Sequence, residues 1–236
     1  MPNWIINEVV VTGEPEVVSL FRKKCFNDED DFDFTKIIPS PERLCQLSAP
    51  PRYEIDIYLE CGDDENLKTE YLKKAKRMKL KDISETLATM PQEEIEENIR
   101  IGKIRMEEFL VHGCLDWYEY QCIHWGTKWN ASSTSIYNEE ANELGFTFDT
   151  AWSCPYAVFE RIAKVFPLLN IEVKYCDEDV FGGNYGHFIM NNGEIEEKDM
   201  SQEEAAEFYF GEGWEEFFGN DDEEEDDTPK EEGNAS

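Results

Sequence analysis

Histidines and basic side chains are the scarce residues of this chain: 3 His, and 22 Lys and Arg against 54 Asp and Glu, a formal net charge of −32 over 236 residues. A field of that sign repels phosphate backbones at ordinary salt, so direct binding of DNA or RNA is disfavoured. With 3 histidines among 54 acids, a carboxylate near an imidazole is expected by chance and marks no catalytic pair. No GxSxG, P-loop, GxGxxG or HExxH occurs, and no catalytic residue is assigned. No apolar run approaches the ~18–20 residues of a membrane span. The opening Met1-Pro2-Asn3-Trp4 has neither the basic flank nor the apolar stretch of a signal peptide. Seven cysteines (Cys25, Cys45, Cys61, Cys114, Cys122, Cys154, Cys176) form an odd set without a CxxC pair. Such a set fits reduced thiols better than a disulfide framework. The expectation is a soluble, cytoplasmic chain without cofactor or metal.

What is abundant is acid, and it is uneven. Residues 109–236 hold 6 basic and 30 acidic side chains. Only part of this lies in the last segment, where residues 219–236 carry nine acids and Lys230. Acidity therefore extends into the folded part, which favours a basic protein partner or imitation of nucleic acid. Asp221–Asp227 is an unbroken acidic run and predicts a disordered tail over 219–236.

The β-branched run from Ile5 to Thr12, closed by Gly13, predicts a strand. Glu14-Pro15-Glu16 opens a helix with Val17, Val18, Leu20, Phe21 and Cys25 on its apolar face. Phe32–Ile38 reads as a short extended segment stopped by Pro39 and Pro41. Residues 43–108 read as a mostly helical insertion. Within it Arg52–Cys61 alternates like a strand, and a helix from Pro91 to Gly113 turns Ile95, Ile99, Met106, Phe109 and Leu110 inward. A helix is predicted from Asp116 to Trp125, ended by Gly126. A hairpin is predicted from Ser132–Tyr137 and Leu144–Thr150, then a helix from Pro155 to Phe166. Ile171–Tyr175 and His187–Met190 follow as strands, with a last helix whose capping box is Ser201 and Glu204. The order suits an α+β sandwich with helices on one face of a mainly antiparallel sheet. Its body would be residues 1–42 and 109–218.

Pro2-Asn3-Trp4, Asn7, Val11-Thr12-Gly13, Phe34 with Lys36-Ile37-Ile38-Pro39, Trp117-Tyr118, Trp125-Gly126-Thr127-Lys128-Trp129-Asn130-Ala131, Phe146-Thr147, Ala151-Trp152-Ser153 with Pro155, and Phe166-Pro167 occur in that order. Together they resemble the YubB-like family of phages, conjugative plasmids and bacterial chromosomes over roughly residues 2–40 and 112–190. The resemblance implies a ferredoxin-like fold and brings no activity with it. Mobile elements often carry small acidic proteins that block host defence, an association rather than a mechanism.

The segment Trp125–Asn130 admits two readings. In the structural one, the tryptophans bury apolar area, Gly126 permits a left-handed helix end and Asn130 satisfies backbone groups. In the functional one, Trp125, Lys128, Trp129 and Asn130 form an aromatic-walled site for an anionic or carbonyl ligand. Lys128 is the sole basic residue between Arg105 and Arg161, and is alternatively a counterion for nearby acids. His112-x-Cys114 and Cys122-x-His124 have the wrong spacing for zinc, and i and i+2 on a helix face apart. Gly182–His187 is glycine-rich but lacks the helix and basic residue of a phosphate cradle. The run Lys73–Lys81 is a weak exception to the exclusion of nucleic acid, with pairing to Asp82–Glu97 as its alternative.

Two functions follow. The first is a non-enzymatic binding protein whose acidic surface engages a basic partner, occupying the nucleic-acid groove of a host protein. Glu139, Glu140, Glu143, Glu203, Glu204, Glu207, Glu215 and Glu216 would be its contacts. The second is a small-ligand or enzymatic site around Trp125, Lys128, Trp129 and Asn130. No membrane association is expected, and oligomeric state is not encoded legibly.

Overall fold

The structure, a computed structural model, describes residues 3–51, 53–69, 73 and 84–214. Strand β1 (Trp4–Thr12) alternates without a break, with Ile5, Asn7, Val9 and Val11 buried and their neighbours half-buried or exposed. Helix α1 (Pro15–Cys25) follows, begun by Pro15 in its first turn and burying Val18, Phe21 and Cys25 at helical spacing. Phe26 and Phe32 then bridge across the tight acidic loop.

The expected extended segment Phe32–Ile38 is instead a single helical turn, α2 (Phe34–Ile37). Asp33 caps it by accepting from the Thr35 backbone N–H, which makes helix the cheaper local solution. α3 (Glu42–Cys45) and α4 (Glu54–Cys61) come next. The strand predicted over Arg52–Cys61 is thus corrected to a helix over Glu54–Cys61, with Arg52 outside the described residues. Its alternation misled because both parities are buried: Glu54, Ile55, Asp56, Ile57 and Tyr58 all face protein. α5 (Ser84–Leu87) is one turn, and α6 (Gln92–His112) ends at Gly113 with φ +72°. α6 buries Gly102, Arg105, Met106 and Glu108, whereas Leu110 is 60 % exposed, contrary to the apolar stripe expected from sequence. Residues 74–83, which hold most of the basic run and the start of its acidic counterpart, lie outside the described residues.

α7 (Trp117–His124) is capped by Asp116, and the hairpin β2 (Ser132–Glu139) and β3 (Glu143–Ala151) follows. α8 (Tyr156–Val165) buries Val158, Phe159, Ile162 and Ala163. The meander β4 (Asn170–Asp177), β5 (Tyr185–Asn191) and β6 (Glu194–Lys198) precedes α9 (Gln202–Phe210). Ser201 and Glu204 form the expected capping box. β6 was not foreseen.

The sheet order is β2-β3-β1-β4-β5-β6 with every pairing antiparallel. Its first four strands with α1 and α8 make the β-α-β-β-α-β arrangement of a ferredoxin-like α+β fold, extended by β5 and β6. Val9 sits opposite Phe146 and Val173, so one face of the sheet meets α1 and α8 in a phenylalanine-rich core. Phe32 lies at its centre, 5.0 Å from Phe148 and 5.1 Å from Phe146 between ring centroids. On the other face α9 covers one end, where Ala205 and Ala206 pack with Cys176 and Val180. The α3–α7 region has its own small cores, one around Met106 and Ile55 and one around Leu44 and Tyr120. A Cβ on Gly102 would stand 2.0 Å from the Glu54 carbonyl oxygen, so α4 and α6 touch backbone to backbone there.

Candidate functional site

Where β1 begins and β3 ends, Trp4 pairs with Ala151, and three loops converge. The loop after α7 is pinned from several sides. Trp125 is 1 % exposed and its Nε1 donates to the Ile38 carbonyl at 2.9 Å. Gly126 takes φ +81°, and its carbonyl accepts from the Ser153 hydroxyl. Thr127 donates to the Ala151 carbonyl at 2.7 Å. Asn130 Oδ1 accepts from the Phe34 and Ala131 backbone N–H groups, and its Nδ2 donates to Asp33 at 2.8 Å. Trp125 and Asn130 are thus tied into the loop framework by these hydrogen bonds.

Lys128 and Trp129 point the other way. With Trp117, Tyr118, Trp152, Ala49 and Pro50 they line a surface cleft of about 480 Å³. The Lys128 ammonium lies 4.1 Å from the Trp129 ring centroid, 5.1 Å from Trp152 and 5.9 Å from Tyr118. Trp4 extends the platform, its ring 6.0 Å from that of Trp129. Trp4, Trp129 and Trp152 are 36, 37 and 42 % exposed, so three large rings face solvent together. Among the described residues no carboxylate pairs with Lys128.

Trp152 is held in an unusual backbone state. Its φ is +72°, a left-handed conformation that disfavours bulky residues. Its N–H donates to the Asn3 carbonyl at 2.9 Å and its carbonyl accepts from Asn184 at 3.1 Å. Asp177 organises both partners, accepting from Asn3 at 3.3 Å and from Asn184 at 3.0 Å. Strained backbone of this kind clusters at binding and catalytic sites.

The opposite wall is anchored by a buried arginine. Arg105 is fully buried, donating to the Leu115 carbonyl at 3.0 Å and to the Ser48 carbonyl and hydroxyl at 2.7 and 2.9 Å. Ser48 directly precedes Ala49 and Pro50, joined by a cis peptide. Nearby, Cys122 has its thiol pKa pushed up, first by burial, the reverse of what an activated nucleophile needs. Burial likewise raises Tyr118.

The described acidic residues selected from sequence lie in two groups. Glu139 pairs with Arg22 at 3.3 Å, Glu143 accepts from Asn138, and Glu140 lies in the turn between them. That turn adjoins Thr12, whereas Glu203, Glu204 and Glu207 lie on α9, which packs near Ile6. Ile6 and Thr12 are about 20 Å apart along a strand. Glu215 and Glu216 lie outside the described residues, as does the tail 219–236. Of the residues whose spacing spoke against zinc, His112 and His124 flank the Tyr120 ring, at 5.8 and 4.2 Å. Among the described residues no group of three or more His, Cys, Asp or Glu is placed to hold a metal. Trp117, Tyr118 and Trp152 were not selected from sequence as site residues. Their signal was an unusual local density of aromatic residues either side of Lys128. No described helix is long and apolar enough to cross a membrane.

The molecule is thus a ferredoxin-like α+β protein with an aromatic cleft at one end of its sheet. Residues 124–229 match the family described as the ferredoxin-like domain in Api92-like protein. Among solved structures, the crystal structure of a protein api92 from Yersinia pseudotuberculosis is similar at a TM-score of 0.42. The two share 11 % identity, over 85 % of this chain and 99 % of that one. No curated protein matches the chain.

Proposed function

We propose that this is a non-catalytic binding protein whose cleft takes a planar, unsaturated ring bearing one anionic group. The observation behind this reading is the set of rings converging on an ammonium that lacks a carboxylate partner among the described residues, in a chain of net charge −32. Indole faces stack on planar ligands, and the ammonium supplies one charge-assisted contact for an anion. The raised Cys122 thiol and the lack of a neighbouring histidine in the cleft lining support binding without turnover. The probe is 8-anilinonaphthalene-1-sulfonate, whose planar naphthalene carries one sulfonate. Its fluorescence should rise saturably with the native protein and fall back for Lys128→Ala and Trp152→Ala at unchanged melting temperature. Equal enhancement by the wild type and both variants would place the dye elsewhere and sink the reading.

A second reading is an acidic protein that occupies a basic, nucleic-acid-binding surface of a host protein. The excess of acid outside the last 18 residues supports it. A partner would engage either the β2–β3 turn or α9, since the two groups lie apart. Affinity capture at low and moderate salt tests it: a basic partner should be retained only at low salt. Charge reversal of Glu203 and Glu207 that left such capture unchanged would remove α9 from the interface.

A further inference from the structure

Positive charge in this molecule is segregated. Outside residues 43–108 and the tail there are nine Lys and Arg, and six of them lie on α1, α2 and α8: Arg22, Lys23, Lys24, Lys36, Arg161 and Lys164. The same three helices carry two acids, Glu16 and Glu160. Arg22 is paired with Asp30 and Glu139, and the Lys36 ammonium donates to the Phe26 carbonyl. For the other four, no ion pair exists among the described residues, although acids outnumber bases by more than two to one. The helical layer is a cationic face on a strongly anionic protein.

That face contains a groove. Between α1, α2 and α8 lies a depression of about 340 Å³ with an apolar floor that includes Ile37, Ile162 and Phe166, and a rim of Lys24, Lys36 and Arg161. Leu20 and Val165, also in its lining, are 47 and 49 % exposed, and Leu168 just beyond α8 is 78 % exposed. An apolar trough ringed by cations fits a peptide that combines aromatic side chains with carboxylates.

The chain contains one such segment, beyond its last described residue: Glu215-Glu216-Phe217-Phe218-Gly219-Asn220 followed by the acids Asp221–Asp227. We infer that this segment docks in cis on the groove, with Phe217 or Phe218 over the apolar floor and the acidic run against Lys24, Lys36 and Arg161. Trp214 packs by Phe181, their rings 6.3 Å apart, on the side of the sheet away from α1 and α8. Asp227 is 13 residues further on, a reach of up to roughly 45 Å, enough to pass around one end of the sheet. Docking shields the cationic face from acidic competitors and leaves the acidic sheet side outermost.

The test is carbodiimide coupling of the full-length protein at low concentration, with linked peptides mapped by mass spectrometry. Amide links joining Lys24 or Lys36 to acids of 221–227 are expected in the monomer. They should disappear at about 1 M salt, where the Debye length is roughly 3 Å, and in Phe217→Ser/Phe218→Ser. The surface variant Lys24→Gln/Arg161→Gln, which spares the Lys36 hydrogen bond to Phe26, should fold with an unchanged melting temperature and show faster tryptic cleavage at Lys230. Links from the acidic run only to Lys74–Lys81, links confined to a covalent dimer, or equal cleavage at Lys230 would each overturn docking in cis on this groove.

Discussion

Lys128 and Asn130 are two residues apart and belong to different worlds. Asn130 closes three hydrogen bonds that fix the Phe34 turn and its own loop. Lys128 lies over three ring faces, at 4.1 to 5.9 Å. Asn130→Ala leaves a Phe34 N–H without its acceptor and should cost about 1–3 kcal/mol in urea unfolding. Lys128→Ala should cost less than about 1 kcal/mol, the scale of an exposed cation–π contact. If Lys128→Ala proved the more damaging, the lysine would be framework and the binding proposal would lose its anchor. Sequence showed that this stretch was dense in aromatics, yet could not divide it. The division depends on which way each side chain leaves the loop after Gly126. That direction is set by remote partners, the Ile38 and Ala151 carbonyls, which local pattern does not reveal.

At the scale of elements, strands and helices on the ferredoxin-like body were largely legible because each has one wet face and one dry face. β1 alternates strictly, and α8 sets Val158, Phe159, Ile162 and Ala163 on a single stripe. β6 was missed because its residues, Glu194-Ile195-Glu196-Glu197-Lys198, are mostly charged, as suits a sheet edge. Its true signal was Asn192-Gly193, both at positive φ and suited to a two-residue hairpin turn. α4 failed for the opposite reason, burial on all sides, with Glu54 and Asp56 interior. The α4–α6 contact makes two sharp demands. Gly102→Ala drives a Cβ into the Glu54 carbonyl, so overpacking of about 1–3 kcal/mol should exceed the roughly 1 kcal/mol gained in helix propensity. Arg105→Met strips the Ser48 and Leu115 carbonyls of their donor and leaves Glu54 beside an apolar chain. A loss of about 3–5 kcal/mol is expected, as when one member of a buried pair is removed. Because Ser48 leads into Pro50, dye binding in the cleft should weaken as well. A neutral Arg105→Met would show that the arginine is dispensable and the wall is held by packing.

For the molecule as a whole, charge dominates. Asp116 has its carboxyl pKa raised, first by burial, and Asp149 likewise, with a Ser133 hydrogen bond opposing. A carboxylate whose folded pKa is raised contributes stability that is fully present below its unfolded value, about 3.9, and is lost as pH climbs through the folded value. Glu97 and Glu204 shift downward, through a hydrogen bond from Arg100 and from the Ser201 backbone N–H, and act in the other direction. Both are fully exposed, so solvent screens them and they decide little. Mutual repulsion within a chain of net charge −32 adds to the effect of these two carboxyls, since every carboxylate protonated relieves it. The two contributions are separable by salt, which screens surface repulsion but hardly reaches a buried carboxyl. Thermal melts at low ionic strength should therefore show the melting temperature rising as pH falls from 7.5 to 5. In about 1 M salt the rise should shrink. A melting temperature that instead fell with acid over that range would mean that carboxylates stabilised by their partners outweigh the buried and repelling ones, and that the acidic surface is internally compensated rather than held open for a partner.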